Sequence, residues 1–224
     1  MFGDTSKARD RLFVKICGIT SETDARVAME AGADALGFNL VPQSKRYIDI
    51  RAAKDWIAKL PVEMCKVAIL ADANWEDACR ISRLPFIDAL QLHGTEPPEF
   101  CRRLVEAGIR FAKAVPVSGS RSLASLPNYF TDTMILDSSP DGKFGGTGKI
   151  FPWKFAPEFV RHHRGISVIL AGGLNPGNVA EAVNLVRPRG VDVTTGVESS
   201  PGQKDAKLVR AFVEAARQAF GAVR

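Results

Sequence analysis

Cys17 closes the apolar run LFVKIC (12–17) and is followed by Gly18, where the chain can turn without a side chain. A cysteine at a strand end is either a buried small hydrophobe or, as thiolate, a base. The second role needs a nearby cation. Lys15, two residues back, shares the face of Cys17 in an extended chain and can supply that charge. Asp137 closes another run, DTMILD (132–137). A carboxylate there, beside apolar walls, can be held protonated and donate its proton. Asp141 and Lys143 lie farther along DGKFGGTGK (141–149), a glycine-rich loop able to fold over bound ligand. Asp137 is the better acid, because a strand end holds a side chain more firmly than a loop does.

Four further segments carry binding groups. In VPQSKRYI (41–48), Ser44, Lys45 and Arg46 are polar. Arg46 reads either as a bidentate clamp for a carboxylate or as a solvated loop charge. Gln91 and His93 alternate in QLHG (91–94), so both face one side. His93 reads as a neutral orienting group or as a satisfied structural histidine. In AGGLNPGNV (171–179), Gly172 and Gly173 expose backbone N–H groups. In TTGVESSPG (194–202), Thr194, Thr195 and Gly196 open what reads as a short extra helix. Two such motifs together make a phosphate cradle, with backbone donors and a helix N-terminus meeting the dianion.

The elements that position these groups follow from periodicity. Strand-like runs occur at 12–17, 33–40, 66–70, 87–92, 109–115, 132–137, 167–171 and 191–195. Helical patterns follow them at 21–32, 51–60, 74–84, 98–108, 122–130, 153–163, 175–187 and 205–220. Eight strand–helix units predict a parallel sheet with right-handed crossovers, closed as an α/β (β/α)8 TIM barrel of a single domain. An open doubly wound sheet is disfavoured, because CGIT rather than GxGxxG follows the first strand. Thr20 and Ser21 read as a cap ahead of an acidic turn, and Asn175 with Pro176 as a cap and first helical position. Gly32 and Gly108 stop their helices. Residues 1–11 read as a short extension and 12–224 as the barrel domain.

Composition bounds the function. The chain has 224 residues, 46% hydrophobic and 25% charged, enough for a sizeable core. It has no apolar run of the ~20 residues a bilayer requires, and its start, MFGDTSKARDRL, has no apolar h-region, so a cytoplasmic protein is expected. Cys65, Cys79 and Cys101 fall on helices or a strand start and read as structural, reduced thiols. The three histidines and four cysteines show no metal-ligand spacing, and no metal is expected. The formal charge of +5 is spread among acidic residues rather than gathered into a basic, aromatic-flanked block. That predicts a small acidic substrate and no nucleic acid.

Taken together, KICGIT, GADALGF, SKRYI, QLHG, ILDS with GGTGK and FPW, ILAGGLNPGNV and GVDVTTGVESSPGQKD resemble the phosphoribosylanthranilate isomerase family of tryptophan biosynthesis. The resemblance runs in order from about residue 13 to about residue 217. KICG at the start with DVxxGVExxPGxKD at the end is its specific combination. It implies a cofactor-free Amadori rearrangement of N-(5′-phosphoribosyl)anthranilate to the aminodeoxyribulose phosphate. Cys17 would be the general base and Asp137 the general acid, with Arg46 on the anthranilate carboxylate. The Gly173 and Thr195–Gly196 regions would hold phosphate, and Asp192 would sit near the ribose-derived hydroxyls. Asn39 departs from the family's apolar or aromatic residue, and Thr194 and Thr195 replace the commoner serines. Rival readings are another phosphosugar isomerase or epimerase barrel, or a non-catalytic phosphate-ligand barrel. The former would show half-barrel repeats or metal-binding histidines; the latter has no reason to keep Cys17 and Asp137. The expected form is a monomer or homodimer.

Overall fold

The computed structural model describes residues 11–119, 122, 123, 126, 128–138 and 153–221. Eight parallel strands close into a barrel in chain order: β1 (Phe13–Cys17), β2 (Ala35–Asn39), β3 (Cys65–Leu70), β4 (Ala89–Leu92), β5 (Phe111–Pro116), β6 (Thr133–Asp137), β7 (Ser167–Leu170) and β8 (Gly190–Val193). Pairing of Phe13 with Gly190 and of Lys15 with Asp192 seals the first strand to the last. A two-stranded antiparallel ribbon, β9 (Glu198–Ser200) and β10 (Gln203–Lys204), follows. The helices are α1 (Glu22–Glu30), α2 (Lys54–Ile57), α3 (Trp75–Ser82), α4 (Pro98–Glu106), α5 (Ala156–His162), α6 (Val179–Val186) and α7 (Ala206–Gly221).

Alternation along the strands divides the core in two. One set of side chains, including Val14, Ile16, Leu36, Phe38, Leu90, Leu92, Leu136 and Leu170, is large and packs outward under the helices. The opposite set is mostly small: Ala35, Val67, Ala89, Ala112, Ala114, Ile135, Ile169 and Ala171 fill the barrel interior. Small residues suit the interior because every strand contributes to one narrow tube. Charged side chains enter that interior only when paired. Lys15 is fully buried, with Nζ 2.9 Å from Asp192 Oδ2. Removing one partner of such a pair typically costs about 3–5 kcal/mol, because the other charge stays buried.

Several local expectations need correction. The strand foreseen at 191–195 ends at Val193, and the extra helix after it is a single 3-10 turn, Thr195–Val197. The helix foreseen at 51–60 shrinks to α2, flanked by turns. Of 122–130, only Ser122 and Leu123 are helical among the described residues; Phe130 adopts a left-handed φ of 57°, which ends any helix there. Asn175 does not cap a helix with Pro176 at its first position. Its Oδ1 accepts from Gly177 N–H while Asn178 Oδ1 accepts from Asn175 N–H, a local turn that delays α6 to Val179. Ser21, by contrast, does cap α1, accepting from Asp24 N–H. Gly32 and Gly108 end their helices at φ 88° and 68°.

Candidate active site

The C-terminal ends of the strands surround a cavity of about 970 Å³. Cys17, Arg46, His93, Asp137, Gly172, Gly173, Asp192, Thr195 and Gly196 all line it, so the structure brings these candidates to one place, while Lys15 lies buried behind the lining. Asp141 and Lys143, with the rest of 139–152, lie outside the described residues.

Cys17 ends β1 on the interior face, 8% exposed. The chain turns immediately after it through Gly18 at φ 73°, with Ile19 N–H donating to Gly37 O. Gly37 on β2 leaves room for the thiol: a Cβ there would stand 2.8 Å from Cys17 Sγ. Burial pushes the Lys15 pKa down, but Asp192 and Cys17 together push it up further, so it ends raised and the ammonium is kept. Lys15 thus keeps a cation inside the barrel two residues before Cys17. Cys65 differs. Burial drives its thiol up to about 12, and Cys101 is driven by burial to about 11; both are inert, structural thiols.

Asp137 ends β6, held there by Val117 N–H donating to its carbonyl. Its Oδ2 lies 3.0 Å from His93 Nε2, and His93 Nδ1 lies 3.1 Å from Gln91 Nε2. His93 thus has a carboxylate partner that adjacency in sequence does not reveal, 44 residues away. The loop carrying it is braced from outside the barrel. Glu96 accepts from the backbone N–H groups of Gly94 and Asp72 and pairs with buried Lys113 at 2.9 Å. On the other side, Gly172 backs onto Asp137: a Cβ there would be 2.6 Å from its Oδ1 and would collide with Ser138. With φ at 76°, the position favours glycine on two counts. Gly172→Ala is therefore expected to displace Asp137 and lower kcat by about 10²-fold, the typical cost of a 1 Å misplacement. Steady-state kinetics alongside a melting curve would separate this from simple unfolding.

Arg46, from the loop after β2, reaches across the mouth to Glu198 on β9. Nη2 and Nε donate to the carboxylate at 2.7 and 3.1 Å, and Nη2 also meets Thr195 Oγ1 at 3.2 Å. Glu198 pairs in turn with Lys204 Nζ at 2.9 Å, and Lys204 reaches Thr194 O. Neither Glu198 nor Lys204 was foreseen, although both belong to the VESSPGQK segment. Their signal was one acidic and one basic residue six positions apart, which reads equally as solvated loop. Burial pushes the Glu198 carboxyl up, but hydrogen bonding from Arg46 and the charge of Lys204 bring it below its ordinary value. Its stabilising contribution is thus present above the unfolded value of about 4.3 and lost as pH falls through the lower folded value. In melts from pH 7 to pH 3, wild type should lead Glu198→Gln by most at neutral pH, with the gap closing at the acid end.

The glycine-rich side of the cavity is built from two loops. Gly172 and Gly173 adopt left-handed φ values of 76° and 69°. Gly196 packs so closely that a Cβ would meet the Leu174 carbonyl, which locks the loop after β7 against the loop after β8. Asn178 Nδ2 donates to Gly173 O at 2.9 Å, fixing the first loop to the start of α6. Asp192 Oδ1 is buried without a hydrogen-bond partner, while its Oδ2 is held by Lys15. Asn39 also borders the cavity, its Oδ1 accepting from Val41 N–H at 2.9 Å. Among the described residues, no group of three His, Cys, Asp or Glu side chains has metal-binding geometry.

A family profile described as N-(5′-phosphoribosyl)anthranilate (PRA) isomerase matches residues 14–215. The N-(5′-phosphoribosyl)anthranilate isomerase of Trichlorobacter lovleyi is 43% identical over 92% of this chain and 98% of its own. The solved phosphoribosyl anthranilate isomerase of Thermotoga maritima superposes with a TM-score of 0.84 at 38% identity, covering 92% of this chain and 99% of that one. A further solved phosphoribosyl anthranilate isomerase, in complex with reduced 1-(o-carboxyphenylamino)-1-deoxyribulose 5-phosphate, superposes with a TM-score of 0.80 at 36% identity and the same coverage.

Proposed function

Because the chain belongs to the N-(5′-phosphoribosyl)anthranilate isomerase family, we propose that this cavity carries out the family's aldose–ketose isomerisation with Asp137 as acid and Cys17 as base. The chain is an isomerase of tryptophan biosynthesis that converts N-(5′-phosphoribosyl)anthranilate to 1-(2-carboxyphenylamino)-1-deoxyribulose 5-phosphate. The observation that carries the residue roles is the convergence of the Asp137 carboxyl, the Cys17 thiol and a two-loop glycine cradle on a single cavity.

The phosphate is received by the backbone of Gly172, Gly173, Thr195 and Gly196, which anchors the sugar end. Arg46, already steered by Glu198, holds the anthranilate carboxylate with the guanidinium edge that Glu198 leaves open. Asp192 Oδ1, buried and unpartnered, accepts from a sugar hydroxyl. Asp137 gives its proton to the furanose ring oxygen as the C1′–O bond breaks, and the aryl nitrogen lone pair forms the iminium. That cation acidifies C2′–H. The Cys17 thiolate takes this proton, and the C–H electron pair moves to make the enolamine, which tautomerises to the aminoketone. Lys15 and Lys204 place two ammonium groups on the side of the cavity from which Cys17 acts, each held by a carboxylate. The chemistry at these groups needs no electron carrier.

The remaining attributes follow from the reading. Residues 12–224 act as one catalytic domain, as monomer or homodimer, on a small phosphorylated substrate and not on nucleic acid. Among the described residues, no helix is long and apolar enough to cross a membrane, and a biosynthetic role favours the cytoplasm. The test is an anthranilate-fluorescence assay on freshly made phosphoribosylanthranilate. A signal change proportional to enzyme supports the activity, and a flat trace with folded protein overturns it.

A further inference from the structure

We propose that Gln91 is a positioning residue that sets the tautomer of His93, and through it which oxygen of Asp137 carries the transferable proton. The proposal rests on the reading of Asp137 as the acid.

Gln91 lies on the inward face of β4 and is 1% exposed, so its carboxamide does not tumble in solvent. Its Nε2 stands 3.1 Å from His93 Nδ1. An amide nitrogen can only donate, so Nδ1 must accept, and the single proton of a neutral imidazole is left on Nε2. Nε2 is 3.0 Å from Asp137 Oδ2 and therefore donates to it. With Oδ2 occupied as an acceptor, the proton that Asp137 delivers resides on Oδ1, the oxygen beside Gly172. Once delivered, the new carboxylate already has a donor at Oδ2, and no second proton has to move.

The reversed carboxamide would do the opposite. Its oxygen would require a proton on Nδ1, leaving a bare Nε2 lone pair facing Oδ2. Asp137 would then turn its proton toward the ring and away from the substrate. The reversal is also disfavoured by burial. Gln91 Oε1 is buried without a partner, and turning the group over would put an NH₂ with two unused donors where one unused acceptor now lies. The relay runs from Gln91 through His93 to Asp137 entirely through ring and carboxyl atoms. Neither Gln91 nor His93 need touch the reacting bond.

The experiment is ¹⁵N-histidine NMR on the full chain, with His93→Gln used to assign the ring, combined with steady-state kinetics. Wild type is expected to show His93 protonated at Nε2 only. Gln91→Glu places an acceptor against Nδ1, so the ring is expected to hold a proton there. Its kcat should fall about 10–100-fold, the usual cost of losing an orienting partner, with KM little changed. Gln91→Leu, which neither donates nor accepts, should show both tautomers and a smaller loss, and it serves if the glutamate variant does not fold. A wild-type ring protonated at Nδ1 overturns the proposal, as does a changed tautomer with unchanged kcat. Full activity in Asp137→Asn would instead sink the acid assignment, and the ring spectra would still report on Gln91.

Discussion

Cys17→Ala is expected to lower kcat by about 10²–10⁴-fold, the usual worth of a positioned general base, while a reduced product analogue still binds nearly as well as to wild type. The expectation comes from what surrounds the sulfur. Lys15 is the paired cation beneath it and Gly37 is cleared to admit it, arrangements that packing alone does not require. Cys17→Ser sharpens the test. A hydroxyl fills nearly the same space but ionises far less readily than a thiol, so a packing role would tolerate serine and a base would not. Both variants keep the Lys15–Asp192 pair, and their melting curves should stay near wild type. Near-normal turnover in either would remove Cys17 from the chemistry.

Asp137→Asn should cost a similar factor for a different reason. Asparagine preserves shape and can still accept from His93 Nε2–H, so the relay and the barrel end remain intact. What disappears is the proton for the ring oxygen, without which the C1′–O bond must break to an unprotonated alkoxide. Binding of the product analogue should survive, because the proposed phosphate and carboxylate contacts lie on other loops. Loss of analogue binding in parallel with kcat would mean that Asp137 orders the cavity rather than donating a proton.

Much of this molecule was legible in the chain because the relevant physics is local. Period-two and period-3.6 hydrophobic patterns are set by residues close in sequence, so the alternating strands and helices of the barrel could be read directly. Where local signals competed, the reading failed. Asn175 offered a cap but formed a turn with Asn178, and among the described residues of 122–130 the helical pattern gave way to a left-handed backbone at Phe130. The lining of the cavity was legible for a related reason: in a barrel every strand end faces the same mouth, so naming strand ends names much of what borders it.

Pairing across the barrel was a different matter. Lys15 meets Asp192 over 177 residues, and Arg46 meets Glu198 over 152. No spacing rule connects positions that far apart, since their contact exists only once the last strand closes on the first. Closure also decided that His93 has a carboxylate partner, that Glu198 steers the arginine, and that one thiol of four lies in the cavity while Cys65 and Cys101 are held inert by burial. Side-chain type and order along the strands belong to the sequence alone. Which charges neutralise each other, and so which atoms are left free for a substrate, is settled by tertiary structure, because a charge's partner depends on distance in space and not on separation along the chain.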